Sequence, residues 1–247
     1  MVDLHCHLIP GVDDGAVSLD VACEMAFQAW GTGTQAVVAT PHFNRPDQSA
    51  ELSVAQIKRR CRQTVERFRE EGCPLDLYYG MEMFVTRRLP WLLDGGEYIT
   101  LGLSKYLLME FYVDERYTNM GEMIQRVFDH GLIPMIAHPE RYEAIQRHPE
   151  RVEEWFGQGV AVQLNKGTIM GRMGNHCERT AWWLLKHGLA HVIASDAHSA
   201  RVRNPNLDEV RRMLLREFPP DYVELLLEIN PYHVIKDESL ESAGTFN

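Results

Sequence analysis

The segment Val2 to Gly15, VDLHCHLIPGVDDG, sets His5 and His7 two residues apart at the end of a short apolar run. In an extended strand that spacing turns both imidazoles to one face, where neutral ring nitrogens can hold a divalent ion. The turn that follows carries Asp13-Asp14-Gly15, so a carboxylate can swing back over the strand end. The same geometry returns near the other end of the chain, where HVIASDAH delivers Asp196 and His198 two apart. Between them, His42 follows the run AVVAT-Pro, Glu82 ends a run at 75–83, Glu110 closes YLLME, and His138 opens a His-Pro-Glu-Arg-Tyr loop. Any one of these is weak, since an H-x-H pair is as readily two half-exposed surface histidines. Their common position, at or just past the ends of extended segments, is what carries the argument.

Histidine and carboxylate ligands without thiolates suit borderline and hard ions such as manganese, iron or zinc. The carboxylates of Asp14, Glu82, Glu110 and Asp196, with the imidazoles of His5, His7, His42, His138 and His198, are too many for one ion and a fitting set for two or three. Three divalent ions would outweigh four carboxylates, making the pit net positive and attractive to a phosphate. Water on such an ion has its pKa lowered from about 15.7 toward ~7, which points to hydrolysis of a phosphate ester. Arg141 and Arg203 each lie a few residues past a strand-end histidine and are the expected substrate clamps, because guanidinium forks match phosphoryl oxygens. Arg201 competes with Arg203, and a surface salt bridge is the alternative role for either clamp.

The elements that must position these groups alternate. Strands are expected at the start of the chain and at 36–40, 75–83, 106–111, 133–137, 161–166 and 191–198. Helices are expected at 18–30, 53–71, 119–130, 149–156 and 177–187, with two more at 207–218 and 222–229. The segment 87–103 reads as irregular with a possible small extra strand, and the tail after Asp237 as frayed. Seven parallel-type strands separated by helices describe an α/β fold that closes, or nearly closes, into a (β/α)7 barrel. In such barrels the chemistry sits at the C-terminal ends of the strands. His130, His148, His176, His187 and His233 fall in helices or loops and His191 opens a strand at the opposite rim, so structural roles are expected for them.

The 247 residues carry no linker or composition break and are read as a single domain, 1–247. A net charge of -10 repels polyanions and argues against nucleic acid as a partner. Five cysteines without C-x-x-C spacing imply neither a disulfide framework nor a zinc knuckle. With no room before the first strand for a signal peptide, and no apolar run long enough for a bilayer, a cytoplasmic protein without membrane insertion is expected. Cys61 and Arg67 match the C-x5-R spacing of cysteine-dependent tyrosine phosphatases, but KRRCRQTVERFREE is an uninterrupted helical pattern lacking the glycine-bearing anion loop that chemistry needs.

Taken together, Asp3-x-His5-x-His7, Asp14-Gly15, Thr40-Pro41-His42, Gly80-x-Glu82, Glu110-Phe111, His138-Pro139-Glu140-Arg141-Tyr142 and Ser195-Asp196-x-His198 resemble the PHP (polymerase and histidinol phosphatase) superfamily. Within it the chain resembles the bacterial manganese-dependent tyrosine phosphatases of capsular and exopolysaccharide systems, essentially end to end. The resemblance implies a distorted seven-stranded barrel and three divalent metal ions, manganese foremost, with iron or zinc as alternatives. It implies that His5, His7, Glu82 and Asp196 hold one ion, Glu82, Glu110 and His138 a second, and Asp14, His42 and His198 the third, with Asp13 replacing Asp14 if the turn shifts by one. Arg141 matches the phosphate-binding arginine and Arg203 a second, through a loop, SARVRNP, that departs from the family's glycine-containing version. The implied substrate is a phosphotyrosine protein, by analogy a bacterial tyrosine autokinase of polysaccharide export. Histidinol phosphatase activity is the alternative within the class, and a non-catalytic metal-binding scaffold the alternative outside it.

Overall fold

A computed structural model describes residues 1–47 and 52–246. Its strands are β1 (Val2–Cys6), β2 (Ala36–Ala39), β3 (His42–Phe43), β4 (Asp76–Tyr79), β5 (Glu82–Phe84), β6 (Tyr106–Glu110), β7 (Ile133–Ala137), β8 (Ala161–Asn165) and β9 (Val192–Ala194). All ladder pairings are parallel. They form a three-stranded sheet in the order β1-β2-β4 and a six-stranded sheet in the order β3-β5-β6-β7-β8-β9. The fold is therefore mixed α/β with parallel sheets.

The single run of seven strands expected from the sequence is corrected in two places. Beyond the expected strand 36–40 a further short strand, β3, follows Thr40-Pro41, and the expected strand 75–83 divides at Gly80-Met81 into β4 and β5. Pro41 has no N–H to give to a ladder. Gly80 is tight against its surroundings, since a Cβ there would lie 3.2 Å from Leu101 Cα. The breaks are local, because Gly80 N donates to Ala39 O at 2.8 Å and Glu82 N to Pro41 O at 3.0 Å. At the other edge β1 meets the chain beyond β9 through an isolated parallel bridge, Cys6 with Ala197. There Asp196 N donates to His5 O and His7 N to Ala197 O, both at 2.8 Å. Buried Asp3 staples the same seam by accepting from Ser195 N at 3.0 Å.

Helices cover the outside, among them Leu19–Gly31, Val54–Glu70, Tyr117–Asp129 and Asn175–Lys186. Ser18 caps the first by accepting from Val21 N, and Ser53 with Gln56 forms a capping box on the second. β6 and β8 are buried at every residue, as strands covered on both faces must be. Segment 87–103 holds a short helix, Leu89–Asp94, and a 3-10 turn, Leu101–Leu103, in place of the possible extra strand. The tail after Asp237, expected to fray, forms no regular element but is tied down: Glu241 N donates to Asn230 Oδ1 at 2.8 Å, and the Phe246 ring stacks on Tyr222 with centroids 4.3 Å apart. Among the described residues no helix is long and apolar enough to cross a membrane.

Candidate metal centre

The C-terminal ends of β1, β6 and β7, the first residues of β3 and β5 just past the ends of β2 and β4, the turn carrying Asp14 and the loop after β9 converge on one buried cluster. Among the described residues, four interlocking groups have the proximity a metal ion requires: His7, Asp14, His42 and His198; His5, His7 and Asp196; His5, Glu82 and His138; and His42, Glu82 and Glu110. Together they contain every ligand expected from the sequence and no other residue. They differ from the expected partition: His7 joins the Asp14 group, Glu82 leaves the group of His5, His7 and Asp196, and the expected set of Glu82, Glu110 and His138 divides into His5 with Glu82 and His138 and His42 with the two glutamates.

The contacts within the cluster are ones that hydrogen bonding alone does not explain. His5 Nε2 lies 3.1 Å from His7 Nε2, and the same two nitrogens lie 3.2 and 3.4 Å from Glu82 Oε2 and 3.5 Å from Asp196 Oδ1. His42 Nδ1 is 2.9 Å from Glu82 Oε2, yet neither atom has a hydrogen-bond partner, and Glu110 Oε2 and His198 Nε2 are buried without one as well. Buried polar atoms are almost always hydrogen-bonded. Lone pairs converging from several sides on common points are what a cation between them would satisfy.

Side chains behind the cluster fix its rings. Asp13 Oδ2 accepts from His7 Nδ1 at 2.7 Å and from His42 N at 2.9 Å, while its Oδ1 accepts from Gly15 N at 2.9 Å. Asp14 instead faces the centre, its Oδ1 3.3 Å from His198 Nε2 and 3.6 Å from His42 Nε2. The two aspartates thus stand on opposite sides of the ring plane's first contacts, Asp13 behind and Asp14 in front. Only glycine fits at position 15, where a Cβ would meet His7 O at 2.1 Å. Gln163 Oε1 holds His5 Nδ1 at 2.9 Å and Asn165 Nδ2 donates to Asp196 Oδ2 at 2.6 Å. His138 and Asp196 are held at positive φ, +36° and +50°, as is Asn44 at +65°.

Electrostatics follow from this crowding. Burial works against charge on Glu82 and Asp196, but the surrounding imidazoles, and Arg203 for Asp196, hold both well below the carboxylate range. Glu110 is raised by burial and by Glu82. Burial, with Arg141 nearby, lowers His138 to about 4 and so keeps it neutral, the form that binds a metal.

Both expected clamps lie beside Asp196. Arg203 Nη2 is 2.6 Å from Asp196 Oδ1, and its Nε donates to the Asp196 carbonyl at 3.2 Å; Arg141 Nη1 is 3.7 Å from Oδ2. Arg201 is exposed, and among the described residues its side chain makes no ion pair or hydrogen bond with the cluster. A third cation, overlooked in the sequence, is Arg45, whose Nη1 lies 2.9 Å from His42 Nε2. Its position three residues past a strand-end histidine, the offset that singled out Arg141, was the available signal. Gln163 and Asn165 were legible too, as polar residues alternating along a buried strand, AVQLN.

Known proteins resemble this chain over most or all of its length. The family described as "Capsular polysaccharide synthesis, CpsB/CapC" matches residues 1–236. The tyrosine-protein phosphatase YwqE of Bacillus subtilis is 31% identical over 228 residues, covering 92% of this chain and 89% of that protein. The tyrosine-protein phosphatase CpsB of Streptococcus pneumoniae is 27% identical over 248 residues, covering 96% and 99%. A crystal structure from work on YwqE and CpsB, described there as unique metal-dependent tyrosine phosphatases, superposes with a TM-score of 0.91 at 28% identity over 100% of this chain and 98% of the other. A phosphotriesterase homology protein from Escherichia coli, at 12% identity and a TM-score of 0.60, shares the fold alone. From its first residue to Lys236, this chain belongs to the CpsB/CapC family of capsular polysaccharide synthesis.

Proposed function

We propose that the chain is a metal-dependent tyrosine-protein phosphatase whose ligands are His5, His7, Asp14, His42, Glu82, Glu110, His138, Asp196 and His198. The observation that carries this reading is the set of buried, mutually facing nitrogen and oxygen atoms without hydrogen bonds, a donor set suited to manganese, with iron or zinc as alternatives. The interlocking of four groups through shared His5, His7, His42 and Glu82 supports a cluster of three ions. The two sheets, joined at the breaks in 36–43 and 76–84 and at the Cys6–Ala197 bridge, are read as one distorted seven-stranded barrel and a single domain.

Divalent ions at this site supply positive charge for the phosphoryl oxygens and acidify water toward a pKa of ~7. The residues of the chain do the rest. Arg141 and Arg203, beside the two carboxylate oxygens of buried Asp196, clamp the non-bridging oxygens of the ester, stabilising the charge that spreads over them in the transition state. Asp13, Gln163 and Asn165 keep His7, His5 and Asp196 oriented without reorganisation during the reaction. A tyrosyl phenolate, whose pKa is about 10, leaves without full protonation, so an aryl ester asks less of the cluster than an alkyl one. Membership of a capsule-synthesis family supports a tyrosine autokinase of polysaccharide export as the phosphoprotein, and the cytoplasm as the place of reaction.

The test is turnover of a phosphotyrosine peptide and of histidinol phosphate before and after chelation. Activity on the peptide that disappears with chelator, returns with manganese and exceeds that on histidinol phosphate in kcat/KM is expected. Hydrolysis indifferent to chelator, or a preference for histidinol phosphate, would overturn the reading.

A further inference from the structure

Beside the cluster, a groove of ≈ 820 Å³ opens between the segments that leave β3, β5 and β6 and the helix Tyr117–Asp129. It lies within the size range of cavities that enclose ligands. Its floor is built: Asn44, at positive φ, spends its side-chain amide on Phe84 O at 2.8 Å and Thr86 Oγ1 at 2.9 Å, tying the β3 exit to the β5 exit. Half-exposed Tyr112, two residues past Glu110, stands edge-to-face on Phe84 with centroids 4.7 Å apart and offers a ring at the groove. The groove adjoins the candidate centre, since Arg45 both lines it and touches His42.

Charge is divided between its walls. The β5 side carries Arg87 and Arg88, of which Arg87 is exposed and without an ion pair among the described residues, whereas Arg45 is committed to Asp47 at 2.7 Å. The helix side carries Glu122, with Glu115 just before the helix begins. We propose that this groove seats the polypeptide flanking the phosphotyrosine, and that Arg87 selects an acidic side chain in that flank; this rests on the phosphatase reading above. An extended chain advances about 3.4 Å per residue, and Arg87 stands five residues past Glu82, in the turn beyond the end of β5, so the selected acid is placed within about five residues of the phosphotyrosine. Glu122 on the far wall repels the same acid and fixes which wall it meets.

The experiment uses the full chain loaded with manganese and pairs of phosphotyrosine peptides carrying Glu or Lys at a single position, scanned over five residues on each side. At one or more positions kcat/KM for the Glu peptide exceeds that for its Lys twin by about threefold to tenfold at low salt, as a partly exposed ion pair exchanged for a repulsion supplies. The ratio shrinks toward one at high salt, rises with Glu122→Gln and inverts with Arg87→Glu. A ratio of one at every position, or one that Arg87→Glu leaves intact, overturns the proposal. So does turnover of phenyl phosphate without turnover of any peptide. Failure on phenyl phosphate and peptides alike would instead sink the phosphatase reading.

Discussion

Replacing Asp13 by asparagine separates a ligand from a residue that holds a ligand. The carboxylate takes three donors, His7 Nδ1 and His42 N on Oδ2 and Gly15 N on Oδ1, and none of its contacts reaches the face of His7 that meets Glu82 and Asp196. Burial alone would raise its pKa, but the His7 charge and hydrogen bond outweigh that and bring it to about 2, so it is ionised at neutral pH. An amide in the same space must turn its NH2 toward either Gly15 N–H or the pair His7 and His42 N–H. Either way a buried donor faces a donor, at a cost of about 1–3 kcal/mol. The negative charge that raises the basicity of His7 goes as well. Loss of such an orienting partner weakens metal binding by about 10- to 100-fold, or about 1.4–2.7 kcal/mol. Asp13→Asn should therefore bind the same number of ions as the parent, more weakly by that factor, and recover most of its kcat when manganese is raised to saturation. Competition with a chelating dye gives the affinity, and elemental analysis of the saturated protein gives the count. A variant that holds one ion fewer at saturation would place Asp13 in the coordination sphere, and an unchanged affinity would show that His7 needs no such support.

Three further outcomes are expected. Arg141→Ala and Arg203→Ala should each lower kcat/KM on a phosphotyrosine peptide by about 10²- to 10³-fold, the scale of losing one preorganised charge-stabilising donor, with metal content unchanged; Arg201→Ala, remote from the cluster, should change it less than about threefold. Cys61→Ser should keep the activity, because the thiol is buried inside a helix and burial pushes it up to about 12, the opposite of a nucleophile's need; inactivation in a folded variant would refute this. Lys166, 2% exposed, is lowered by burial to about 8 from 10.5 while its Nζ donates to Asn204 and Asn206. Between those values the unfolded chain binds more protons than the native one, so the lysine's contribution to stability rises with pH, by about 2 kcal/mol from pH 7.5 to pH 10. Urea unfolding at the two pH values should show that gain in the parent relative to Lys166→Met, and equal pH dependence in both would refute it.

The residues with chemistry were legible because a parallel α/β arrangement puts strand ends at one rim, and a strand end is a local signal: an apolar run, then a polar residue. His5, His42, Glu82, Glu110 and His138 were located that way, without knowledge of which strands pair. What short-range pattern could not convey was depth. Asp13 and Asp14 are neighbours in sequence, and only the close approach of Gly15 to His7 puts one behind the ring and the other before it. The tail misled for the same reason: its anchors, Tyr222, Asn230 and Lys186, are supplied by other segments, and no periodicity in 238–246 announces them. The breaks at Pro41 and Gly80 were written in residue type, yet whether such a residue ends a strand or merely bends it depends on its neighbours across the ladder.

His138 and Asp196 both occupy the left-handed region that side chains other than glycine seldom adopt, each at a strain of about 1–3 kcal/mol. Glycine at either position would relax the backbone while deleting a proposed ligand. Selection for heat tolerance alone, in a test tube or in a lineage released from its task, would therefore drift toward sturdier chains that have ceased to catalyse, so any search for hardened forms of this fold has to score turnover alongside melting.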